Sequence, residues 1–332
     1  MGVLVGRVAW GKRVQERSEA QAGERVVQPE TLVDKGQRRR RRKLRRAVTS
    51  SLTLSPLMLF APAGLAAEPD KSSYTLFNPT PEHLMRDMTT DRPDITETPF
   101  TIDAGHLQIE SDLFGYGLSR RDRYGVTSRG YHIATANFRL GLTNWSELSV
   151  VVNPYEQVKS SGGGTRSRLS GMGGVDVRMK FNLWGNDSFE KPGDTAFAVL
   201  PFVTLPTDRD NGIGPSKIEG GAIAMFGLQL TDKFSFGMNN SFHIVRNDDG
   251  RGTHTESLNT AMLSYEWNDR VSTYYEVVAR FNTRDERGDP VQLAAGFTYM
   301  LRKNLQLDGG ILFGVTPAAD RIAPFIGMSA RF

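Results

Sequence analysis

Cysteine is absent from the 332 residues, which excludes a disulfide scaffold, a thiolate metal site and a thiol nucleophile. Long apolar runs are missing too. No stretch supplies the roughly 18 to 20 uninterrupted apolar residues that a membrane helix needs, and mean hydropathy is −0.38. Helical membrane proteins are therefore excluded, but a membrane barrel is not, because its alternating strands keep average hydropathy at the level of a soluble protein. Histidine is scarce, with 5 in the chain, at positions 83, 106, 132, 243 and 254. No pair of them has the spacing of a metal site on a strand or helix, so neither a metal nor a cofactor is expected.

Charge is unevenly spread. The formal net charge is +4 over the whole chain, yet residues 1–46 alone carry about +9, which leaves residues 68–332 at about −5. The basic segment ends in QRRRRRKLRR (37–46), runs into the short apolar stretch AVTSSLTLSPLMLFAPAGLAA (47–67) and stops at an acidic EPD. Positive segment, apolar run and small residues before the break make a secretory signal peptide, with cleavage expected after Ala66 or Ala67. The arginine run is not read as a nucleic-acid site, because no aromatic residues interleave it and an apolar run follows directly. Residues 1–36 are long and unpatterned for a leader, which a start codon assigned too far upstream would explain.

What the body has in quantity is strict alternation. VDVRMKFNL (175–183) sets Val175, Val177, Met179, Phe181 and Leu183 against Asp176, Arg178, Lys180 and Asn182, and side chains of a strand point alternately to opposite faces. HLQIESDL (106–113), ATANFRLGL (134–142) and ELSVVVN (147–153) repeat the pattern, and further strands are expected near 195–205, 219–230, 234–245, 255–267, 271–281, 291–301, 305–315 and 322–332. That makes 12 strands of about 10 residues, a length that suits a tilted strand crossing hydrocarbon. Connections alternate between short polar turns (143–146, 231–233, 268–270, 302–304) and longer segments (155–172, 206–218, 246–254, 282–290). One end with tight turns and one with loops is the plan of an outer-membrane barrel. The segment WGNDSFEKPGD (184–194) is long for the tight-turn end. Glycines at 162–164 and the GxGG at 171–174 lack the following helix and Lys-Ser/Thr of a nucleotide loop and read as a flexible outer loop.

Trp145, Trp184 and Trp267 all fall at predicted turns of one end, as expected of rings at a membrane interface. The last strand closes on Phe332, which resembles the signal that barrel-assembly machinery recognises. The expected architecture is all-β: residues 1–67 extension and leader, 68–105 a periplasmic or plug segment, and 106–332 one antiparallel transmembrane barrel of 12 strands. In that register Gln108, Glu110, Asp112, Asn137, Arg139, Glu147, Asp176, Arg178, Lys180, Glu266, Glu276 and Arg280 face the interior. They either line a polar path or pair with one another and fill the space, and the second reading is favoured for a barrel narrower than 16 to 18 strands. Residues 68–105 carry Pro69, Pro79, Pro81, Pro93 and Pro99 and cannot form one regular element. TTDRPD reads as a turn, and the segment is expected to close the periplasmic mouth or stay mobile more readily than to enter the barrel.

TTDRPDITETPFTIDAGHLQIESD (89–112), GMGGVDVRMKFNLWGND (171–187), LPFVTLPTD (200–208), IEGGAIA (218–224) and the closing LQLDGGILFGVTP and FIGMSARF resemble one family of bacterial outer-membrane proteins. It is the meta-pathway of phenol degradation family, whose members carry the label transporter. The resemblance runs from about residue 86 to the end of the chain. It implies a barrel in the outer membrane of a Gram-negative bacterium that passes small, often aromatic or hydrophobic, compounds, with membrane lipid, solute and assembly machinery as partners and no catalytic residues. Two other classes stay open. One is a structural or adhesive surface barrel. The other is an outer-membrane lipid hydrolase, for which Ser241 and His243 on one strand face, with Asn239 two residues earlier, are the candidates.

Overall fold

The chain, in a computed structural model, is described over residues 70–122, 124–207, 213–247, 251–283 and 288–332. The expected leader, residues 1–67, lies outside the described residues. Strands β1 (Leu107–Leu118), β2 (Val126–Thr143), β3 (Ser146–Val152), β4 (Tyr155–Gly162), β5 (Thr165–Gly171), β6 (Val175–Trp184) and β7 (Thr195–Leu205) form the first half. The second half consists of β8 (Glu219–Gln229), β9 (Phe234–Arg246), β10 (Thr253–Asn268), β11 (Val271–Asn282), β12 (Val291–Arg302), β13 (Leu305–Gly314) and β14 (Ile322–Arg331). Neighbours pair antiparallel, and β1 bonds both β14 and β2, so the sheet closes on itself.

Two of the staves are built from two strands each. The lower part of β2, Ala136 to Thr143, pairs with β3, and its upper part, Val126 to Ile133, pairs with β4. Between them Ala134 takes φ 55°, a left-handed conformation costly for a residue with a Cβ and found where a strand bends. β5 and β6 return along the same line, so the 14 strands make a closed barrel of 12 staves. Residues 155–172, expected as a loop, are thus the β4–β5 hairpin. Its glycines explain the misreading: Gly163 and Gly164 have φ 56° and 79°, the pair of positive values that a two-residue type I′ turn demands. GGG here is a tight turn rather than a flexible loop.

The alternation is inverted relative to a soluble sheet. Along β6, Arg178 is 1% exposed and Val177 is 38% exposed. The charged face is therefore inside and the apolar face outside, the arrangement of a barrel in lipid. Trp145, Trp184 and Trp267 are exposed, at the end that carries the turns 143–146 and 268–271. Phe332 is exposed as well, and its N–H donates to the Leu107 carbonyl at 2.8 Å, tying the last residue to the first strand.

Candidate functional site

The interior is occupied by the proline-rich segment. Instead of capping the mouth, residues 90–103 are largely buried and bonded to the inner wall on opposite sides. Prolines and a β-period that never settles leave its backbone groups without ladder partners, and the wall's charged side chains supply them. The Asp91 N–H donates to Glu110 at 3.1 and 3.2 Å, Ile95 N–H to Glu276 Oε2 at 3.0 Å, and Ile102 N–H to Glu147 Oε2 at 2.8 Å. Gly141 of β2 lets the chain pass: a Cβ there would stand 2.1 Å from the Asp103 carbonyl oxygen.

Side chains of the segment complete the network. Asp91 accepts from Lys180 Nζ at 2.8 and 3.0 Å and lies 3.3 Å from Arg139. Arg139 also reaches Glu147 at 2.9 Å and Glu110 at 2.8 Å. Arg92 crosses to the other side, where it donates to Asp112 at 2.5 Å and to Asp308 at 2.6 Å, beside a glycine, Gly327, whose Cβ would collide with its guanidinium. Glu97 pairs with Arg178, and the Thr96 hydroxyl lies 2.7 Å from Glu276 and 2.8 Å from Thr260. Burial alone would raise the Asp91 carboxyl, but Arg139, Lys180 and Arg178 outweigh it and hold it below the usual carboxylate range. Asp94 goes the other way: burial, then Glu276, Asp91 and Asp308, push it well above that range.

Of the residues assigned to the interior, Gln108, Glu110, Asp112, Arg139, Glu147, Arg178, Lys180 and Glu276 converge on this segment. Asn137 and Asp176 are buried one rung further along, in register through Val151. Arg280 belongs to a separate cluster towards the loop end, donating to Glu256 at 3.1 Å next to Asn282. Glu266 is not brought in. It is exposed at the turn end of β10, where a register shift between Glu266 and Asn268 interrupts the ladder. Arg92, Glu97, Glu256 and Asp308 were missed; only Asp308 left a signal, as one of the two polar members of the alternating LQLD.

Beside the charges lies an apolar stretch of the inner wall. Leu200 and Phe202 of β7, Ile223 and Met225 of β8, and residues of β10 to β14 form one buried cluster, onto which Ile95 of the segment packs. The hydrolase candidates lie on this inner side: Ser241 Oγ accepts the Leu258 N–H at 3.1 Å, and His243 meets the Phe202 ring edge-on at 5.1 Å. Asn239 is buried beside them on β9. None of the three is on the lipid-facing wall, where a lipid hydrolase would need them.

The long turn 185–194 clasps the segment where it enters. Asp187 accepts from Lys71 at 2.7 Å and from Arg86 at 2.9 Å, Asn186 accepts the Thr101 N–H at 3.1 Å, and Phe189 packs edge-on against Phe100 at 5.0 Å.

A crystal structure of an outer-membrane channel, COG4313, from Pseudomonas putida F1 shares the fold with TM-score 0.57 and 13% identity, covering 74% of this chain and 100% of that one. The NanC porin matches with TM-score 0.41 and 10% identity over 68% of this chain and 98% of its own, and the translocator domain of NalP from Neisseria meningitidis with 0.45 and 10% over 68% and 88%. No curated protein matches the sequence. A family description, "Putative MetA-pathway of phenol degradation", matches residues 90–332, which spans both the inserted segment and the barrel, and the chain belongs to that family.

Proposed function

We propose that the protein is an outer-membrane channel that passes small molecules passively, aromatic and apolar ones among them, past a constriction made by residues 90–103. The supporting observation is the division of the interior. Arg139, Arg178 and Lys180 with their carboxylates stand on β1, β2, β3 and β6, and the Leu200, Phe202, Ile223 and Leu312 surface begins on the adjoining strand β7 and continues to β13 and β14. Apolar walls with a few placed polar groups are how proteins hold small organic ligands. The channel fold of the P. putida structure and the family's description support the same reading. A cleaved leader ending near Ala66 or Ala67 and recognition of Phe332 by assembly machinery belong to this proposal, as does contact with outer-membrane lipid. Liposome uptake tests it. Vesicles carrying the full barrel should take up small aromatic compounds faster than empty vesicles and exclude larger sugars; equal uptake by both vesicle types would reject the channel.

One observation favours a structural barrel instead. Ion pairs run from the segment to β1, β2, β6 and β13, and charges spent on each other do not select a solute. The same vesicles decide between the two.

A further inference from the structure

Among the described residues, the middle of the outer wall from β7 to β14 is apolar strand after strand, with one interruption. Asn240 lies at the centre of β9 and is exposed. Its register partner on β10 is Asn259, to which its amide donates a hydrogen bond, and Asn259 Nδ2 donates in turn to Ser257 Oγ at 3.0 Å. These are outward positions. Their chain neighbours Asn239, Ser241, Leu258 and Thr260 are buried, and the same outer face carries Met238 and Phe242, exposed by 46% and 53%. Above and below along the wall stand Ile244, Phe281, Leu263 and Val277, all exposed and apolar, so the amides sit within the band that faces hydrocarbon rather than at its edge.

Such a position is costly without a partner. An amide has two donors and two acceptor lone pairs, and lipid tails can satisfy none of them. Among the described residues the side-chain Oδ1 of Asn240 accepts no hydrogen bond, its Nδ2 being the donor to Asn259. The flanking register partners are small: Ala224 on β8 beside Asn240, and Ala279 on β11 beside Asn259. Small residues around a polar pair let another wall approach closely, the combination that holds membrane segments together.

We infer that this face of β8 to β11 is where a second copy of the chain docks, forming a twofold dimer with its axis along the membrane normal. The chemistry selects a copy of itself. An amide is self-complementary, donor to acceptor, so the Asn240 and Asn259 pair of one barrel matches that of another turned by 180°. A ring of three or more would need a second, different patch on the same wall, and among the described residues of β7 to β14 these are the outward-facing amides of the apolar band. The inference rests on the reading of the chain as a membrane barrel.

The chain's lack of cysteine makes the test direct. Ala224→Cys places one thiol beside the patch with both amides intact, and Leu293→Cys places one on the outer face of β12 as a control. Oxidation of outer membranes with copper phenanthroline should yield severalfold more disulfide-linked dimer from the first, and Asn240→Leu with Asn259→Leu in that chain should abolish the excess. Light scattering of the unsubstituted barrel in detergent should give a dimer mass, falling to monomer in the double leucine variant. Equal crosslinking at both sites, crosslinking that survives the leucines, or a monomeric parent would each overturn the inference, including the case in which lipid headgroups satisfy the amides. Fractionation with outer membranes and a heat-shifted band on electrophoresis report the membrane barrel separately.

Discussion

Adjacent residues of one strand carry opposite demands. Val177 faces out and Arg178 faces in, paired with Glu97. Val177→Arg should therefore cost about 2–4 kcal/mol of barrel stability if it lies near the bilayer midplane, read from urea unfolding in lipid vesicles. Arg139→Ala removes a partner shared by Glu147, Glu110 and Asp91, and breaking a buried pair from one side costs about 3–5 kcal/mol. Asp320, buried in the connection between β13 and β14, shows a third behaviour. Burial pushes its carboxyl up to about 6. A raised acid binds its proton more tightly folded than unfolded, so it weakens the fold increasingly as pH rises from about 4 through 6. Asp320→Asn should thus stabilise the barrel at pH 7, and the gain should vanish below pH 4; a gain that does not change with pH would refute the assignment. Alternation made Arg178 and Arg139 legible in the sequence, because each sits in a strand with a clear period. It could not reveal Glu97 or Arg92, whose positions are set by contacts far along the chain in no local pattern, 81 residues from Glu97 to Arg178 and 216 from Arg92 to Asp308.

Strands were legible and their interruptions were not. Twelve staves follow from period and length, but β4 and β5 hid behind three glycines whose role depends on a turn type. The long turn at 185–194 looked like an exception to the plan until its contacts to Lys71, Arg86, Thr101 and Phe100 were seen. Its length is what a clasp requires. Burial would raise the Asp187 carboxyl, but Arg86, Lys71 and Asn144 win and lower it. An acid lowered in the folded state contributes stability that is present above its unfolded pKa, near 3.8, and is lost only as pH falls through the lower folded value. Asp187→Ala should therefore speed amide exchange across residues 90–103 at pH 7, whereas acidification of the unsubstituted protein to pH 5 should leave this anchor in place. Unchanged exchange in the variant would mean that the turn does not hold the segment.

Across the whole molecule, the outer wall explains the location and the inner wall explains the plug. Barrel and interior polarity could be read from sequence, since both are written in a period of two. Occupation of the interior could not, because residues 70–105 have no period and their fate is decided by Gly141, Gly327 and charges on distant strands and on the turn 185–194. In the proposed channel, residues 90–103 constrict the path. Single-channel recording in planar bilayers tests it most directly, comparing the unsubstituted protein with Asp91→Asn, Arg92→Ala, which cuts the segment from Lys180, Arg139, Asp112 and Asp308 together. Small or absent current steps in the first and frequent larger openings in the second are predicted. Large, steady steps of the same size in both would contradict it.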